Sequence, residues 1–132
     1  MVLEPLHPKV WRRSLQGIAT SLTTREGVDE FSRLRRLYHL LALTPPPLRR
    51  WFVPKLPEEL FELVLHQSLQ TAVLSLTGEA FDLSVAPDGN GDGASITMRL
   101  GPADLEVETH DSSIARAMVR AICEMGLQLS EP

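Results

Sequence analysis

Cys123 is the only cysteine in the 132 residues of this chain. That excludes an internal disulfide framework and suits a reducing compartment. Aromatic residues make up only 5%, which leaves the core to Leu, Val, Ile and Ala. No run approaches the roughly 18 uninterrupted apolar residues of a membrane-crossing helix, and the opening MVLEPLHPKVW lacks the apolar stretch of a signal peptide. These absences predict a cytoplasmic protein that stays off membranes. Also missing are a nucleophile elbow, a phosphate-binding glycine loop and a dinucleotide fingerprint. The four histidines, His7, His39, His66 and His110, share no ligand spacing. Neither an enzyme nor a cofactor is expected.

What is present is a composition of 43% apolar and 23% charged residues, enough for one domain with a buried core. The net charge of −4 conceals a polarity. Residues 1–55 carry ten basic and four acidic side chains, or +6, whereas residues 56–132 carry three and thirteen, or −10. The halves are therefore expected to attract each other, or to face differently charged partners.

Pro8 suits the first position of a helix, and Trp11, Leu15, Ile18 and Leu22 recur along one face of it. Gly17 weakens this helix unless another helix approaches closely there. Thr23 or Thr24 caps a second helix with an apolar stripe of Val28, Phe31, Leu34, Leu37, Tyr38 and Leu41. Pro45, Pro46 and Pro47 end it. The segment 45–57 (PPPLRRWFVPKLP) is then either a rigid connector whose Trp51 and Phe52 plug the core, or an exposed anchor built from Arg49, Arg50, Trp51 and Phe52.

Pro57, Glu58 and Glu59 begin a third helix along which Leu60, Val64, Leu69, Val73 and Leu76 track to a Gly78 cap. Residues 71–77 also alternate, so a strand there is the alternative. From Phe81 the period becomes two: Phe81, Leu83 and Val85, then Ile96, Met98 and Leu100, then Leu105, Val107 and Thr109 share one face. Asp111, with Ser112 or Ser113 as alternatives, caps a last helix buried through Ile114, Ala117, Met118, Ala121, Ile122 and Met125 and ended by Gly126. Arg116 and Arg120 fall on its outer face. The expected class is α+β: residues 1–44 helical and basic, 45–57 a connector, and 58–126 a helix–three strands–helix unit, all in one domain.

Two short stretches resemble known families. The tip Asp88-Gly-Asn90-Gly-Asp92-Gly93 resembles the first half of an EF-hand calcium loop. Arg99 stands where that family places its bidentate Glu, so the tip reads as a hairpin loop, with Asp88, Asn90 and Asp92 a weak calcium candidate. The letters ITMRL, LEVETHDSS and IARAMVRAICEMG resemble small α/β sandwich domains of phage proteins, in which short strands precede an alanine-rich helix. That resemblance implies a fold and no functional motif. The element order from Pro57 to Gly126 is also that of a double-stranded-RNA-binding domain. The phosphate-gripping lysines of that family are replaced here by Asp111, Ser112 and Ser113.

The sequence thus predicts a regulatory or binding module acting through a protein partner. Its candidate surfaces are the Arg49–Phe52 segment and an acidic sheet bearing Asp82, Asp104, Glu106 and Glu108. The alternative is nucleic-acid binding through Arg12, Arg13, Arg33, Arg35 and Arg36. A three-stranded sheet also leaves two edges through which the chain could form a homodimer.

Overall fold

A computed structural model describes residues 5–22, 30–52, 54–77, 81–87 and 93–130. The class is α+β: among the described residues there are five α-helices and one antiparallel sheet in the order β1-β2-β3. Helix α1 spans Pro8–Ser21, started by Pro8 and by His7, whose Nδ1 accepts from the Lys9 backbone N–H at 3.2 Å. Trp11, Leu15 and Ile18 are its buried face, and the Trp11 indole N–H donates to the Leu40 carbonyl at 3.1 Å. Helix α2, Glu30–Ala42, buries Leu34, Leu37, Tyr38, Leu40 and Leu41. The predicted Thr23 or Thr24 cap and Val28 lie outside the described residues, as does the Gly78 cap.

The expected third helix divides in two. α3 covers Glu58–Gln67 and α4 covers Leu69–Leu74. Ser68 between them takes an extended conformation (φ −158°, ψ 115°), and its hydroxyl caps α4 by accepting from the Thr71 N–H. The break rotates the buried face. Phe61 and Leu65 enter the core from α3, Ala72 and Val73 from α4, while Leu60 and Leu63 stand in solvent. No strand forms at 71–77.

Strands β1 (Phe81–Pro87), β2 (Ala94–Leu100) and β3 (Leu105–Asp111) pair in a register that aligns Leu83, Met98 and Val107 on the inner face. The same register lines up Asp82, Arg99 and Glu106 on the outer face. Helix α5, Ile114–Leu129, begins at Ser113, whose hydroxyl accepts from the Arg116 N–H, so Ser113 and not Asp111 is its cap. α5 covers the inner face of the sheet with one side and receives α1 on another. It is accordingly buried nearly all round, from Ala115 to Gly126. One contiguous cluster of buried side chains runs from Trp11 through Phe52 and the sheet to Met125.

Gly126 does not end this helix. It lies inside it, and a Cβ there would fall 2.5 Å from Leu15 Cδ2. Gly17, where a helix contact was expected, has only Arg36 Nη2 at 4.0 Å. The close approach of α1 to α5 is made at the other glycine.

Candidate interaction surfaces

The proline-rich segment separates into a core half and a surface half. Pro46–Leu48 forms a short 3₁₀ turn that delivers Phe52 inward, fully buried between Trp11 (ring centroids 6.1 Å apart) and Phe81 (5.4 Å). Phe52 is thus a core residue and not a partner contact. Trp51 is half-buried against the core edge, and the exposed Arg50 places its guanidinium 4.6 Å from the Trp51 ring centre. Arg49 is half-buried.

The arginines offered for nucleic acid are mostly engaged. Arg33 is 1% exposed. It bonds Glu30 and the carbonyl and hydroxyl of Ser21, so it touches no solvent and no phosphate. Arg12 donates to the Leu127 carbonyl and, at 2.9 Å, to the Ser130 hydroxyl, tying α1 to the end of α5. Arg35 grips Glu62 of α3 through two bonds of 2.7 and 2.9 Å. That pairing holds the Glu62 carboxyl below its usual range, against a smaller upward push from burial. Arg13 and Arg36 are exposed.

Arg116 and Arg120, expected on an outer face, are half-buried instead. Both donate to the Leu22 carbonyl just past the end of α1, and both pair with Asp111. Arg116 also reaches Glu30 at 3.0 Å. With Arg33, three guanidiniums therefore gather at the C-terminal end of α1, where free carbonyls and the helix dipole favour positive charge. Sequence reading missed this clamp. Its signal is the i, i+4 spacing of Arg116 and Arg120 just after Asp111.

The acidic candidates share an open surface. α5 covers the inner face, and no described element covers the outer one. There Asp82 and Glu106 flank Arg99 in one row, Ser84 and Thr97 lead to Glu108 in the next, and Ala86 and Ser95 lead to His110. Asp82, Glu106 and Glu108 are all exposed. His110 Nε2 lies 3.3 Å from Glu108, with both side chains well solvated. Asp104 is exposed at the end of the sheet, in the left-handed turn (φ 51°) that leads from Gly101–Ala103 into β3.

The calcium candidates Asp88, Asn90 and Asp92 lie outside the described residues. Among the described residues no three His, Cys, Asp or Glu side chains are grouped to hold a metal ion. Cys123 is buried in α5; burial, with Glu124 adding to it, pushes its thiol up to about 12, so it packs as a small apolar side chain. No helix among the described residues is long and apolar enough to cross a membrane.

Compared with protein-family models, with curated proteins and with solved structures, the chain matches none.

Proposed function

We propose that this chain is a protein-binding module without catalytic activity, docking through the open face of its sheet onto a basic surface of a partner protein. The observation that carries the reading is the outer face of the sheet. Asp82, Glu106 and Glu108 stand exposed there against one guanidinium, Arg99. Among the described residues of the helical half, Arg12, Arg33 and Arg35 are engaged within the fold, while Arg13 and Arg36 are exposed. Rigid strands hold these carboxylates without further ordering, and an acidic patch steers a basic partner mainly through its association rate.

Glu106 and Glu108 are exposed, so reversing them to Lys leaves the core intact. Proteins captured from a native lysate by the unmodified chain should be lost with the Glu106→Lys, Glu108→Lys pair. For a purified partner, association should slow about tenfold or more at low salt, with the difference shrinking as salt rises. Equal capture and equal association rates would defeat the reading. Recovery of nucleic acid that disappears with Arg13→Glu and Arg36→Glu would assign the chain to nucleic-acid binding instead.

A further inference from the structure

Strand β3 pairs with β2 alone among the described residues, which leaves its other side as an edge of the sheet. Such an edge presents backbone N–H and C=O groups to any chain that can pair with them. Along β3, Glu106, Glu108 and His110 alternate on the outer face and are exposed, while Val107 and Thr109 face inward between them. Among the described residues no lysine or arginine forms an ion pair with Glu106 or Glu108.

A groove of about 290 Å³ lies between β3 and the end of α1. Ala19 and Leu22 of α1, Thr109 of β3 and Cys123 of α5 line it, with Glu108 and His110 at the strand. A cavity of about 150 Å³ already holds a benzene ring, so the groove has room for a Leu- or Phe-sized side chain. Its polar groups are mostly committed. The Thr109 hydroxyl donates to the Ala117 carbonyl at 2.7 Å. Arg120 reaches the groove, but Asp111 holds its guanidinium at 2.8 Å and the Leu22 carbonyl at 3.0 Å. Glu124 also lines the groove and forms no ion pair among the described residues.

We infer that the β3 edge is a peptide site, taking an extended segment that alternates basic and apolar residues as a fourth strand. This rests on the outer face being the partner surface, and it narrows the basic partner to an extended basic segment. Residues directly opposite each other in an antiparallel pair share a face. An apolar residue opposite Thr109 therefore points inward, to the groove beside Ala19 and Leu22. Its neighbour in the chain then falls opposite Glu108 on the outer face, and the residue two further on falls opposite Glu106. Side chains two apart in a strand share a face, so lysines at those two positions meet both carboxylates. A second copy of this chain fits less well: β3 paired with β3 about Val107 sets each Glu106 opposite a Glu108, and like charges directly opposite are destabilising. Main-chain pairing with one side-chain pocket for specificity is an established way of reading peptides.

The test uses the full chain and a fluorescein-labelled octapeptide of alternating Lys and Val. Its anisotropy should rise saturably, and hydrogen exchange should slow at β3 amides. The same peptide with alternate amides N-methylated keeps its charge but not its donors, and should bind at least tenfold more weakly. Glu106→Lys with Glu108→Lys, both at exposed positions, should weaken binding at least tenfold, and that variant should prefer the octapeptide of alternating Glu and Val. Ala19→Phe, which fills the groove, should weaken it with the charges untouched. No binding at millimolar peptide, or equal binding of the N-methylated peptide, overturns the proposal. Sedimentation showing a dimer whose β3 amides are protected without peptide overturns it in favour of a second copy. A purified partner whose association depends on Glu106 and Glu108 but leaves β3 exchange unchanged overturns the strand pairing alone, and the docking face stands. Indifference of that partner to both glutamates removes the docking face as well.

Discussion

Asp111 Oδ2 lies 2.8 Å from Arg120 Nε, joining the last residue of β3 to the second turn of α5. The Asp111 side chain is only 8% exposed, and its other oxygen meets Arg116 Nε at 3.3 Å. Because both arginines also hold the Leu22 carbonyl, this carboxylate orients the clamp that joins the sheet, α5 and the end of α1.

The protonation of Asp111 should be visible in the acid limb of stability. Burial pushes its carboxyl up, but the Arg120 hydrogen bond, the Arg116 charge and the Ser113 N–H together hold it below the ordinary range. As pH falls, the unfolded chain binds this proton first, near a pKa of about 3.9. The contribution is therefore full above that pH and lost as pH drops through the lower folded value. Asp111→Asn should cost about 1–3 kcal/mol at pH 7 and flatten the fall in urea midpoint between neutral and strongly acidic pH. Parallel pH profiles for the two proteins would show that the pair contributes nothing.

The two helical glycines should respond with opposite sign. Gly126→Ala drives a methyl to 2.5 Å from Leu15 Cδ2 and 3.3 Å from Trp11 Cη2. Overpacking of that kind costs about 1–3 kcal/mol, more than the roughly 1 kcal/mol gained in helix propensity. Gly17→Ala meets only Arg36 Nη2 at 4.0 Å, so it should keep the propensity gain of about 0.5–1 kcal/mol. Thermal unfolding should move down for the first and up for the second. Equal shifts would mean that α1 and α5 do not approach at Gly126.

Neighbouring arginines on α2 should differ sharply. Arg33 is buried with Glu30 and Ser21, and removing one partner of a buried pair costs about 3–5 kcal/mol. The Arg35–Glu62 bridge is more than a third exposed on both sides, a class of pair that contributes about 0–1 kcal/mol. Arg33→Ala should therefore lower the urea midpoint severely and Arg35→Ala barely. Arg33→Lys should fall between, because an ammonium cannot reproduce the forked donors that reach both Ser21 and Glu30. Similar midpoints for the two alanine variants would place Arg33 at the surface.

Period-two alternation from Phe81 onward was enough to read the sheet and its inner face. A one-residue slip would have exposed Ile96 and Met98 to water. The start of α1 was legible in Pro8, and the end of α2 in the proline run. The division at Ser68 was not, because Leu60, Val64 and Leu69 remain compatible with an unbroken helix until tertiary packing selects Phe61 and Leu65 instead. The fates of Trp51 and Phe52 were equally open: of two adjacent aromatic residues Phe52 is fully buried and Trp51 half-buried at the core edge, and only the position of the core distinguishes them.

The charge pattern of the sequence determined that one half would be acidic and the other basic, and strand alternation determined that Asp82, Glu106 and Glu108 would share a face. Which charges remain available to a partner was decided only in three dimensions. Folding brings the end of α1 beside α5, where uncapped carbonyls and two carboxylates draw in Arg33, Arg116 and Arg120. Hydrogen bonds to such groups form between residues about ninety positions apart, a separation that no local pattern encodes. On the outer face of the sheet Asp82 and Glu106 stand in register beside Arg99 and Glu108 beside Ser95 and His110, and all three acids stay exposed.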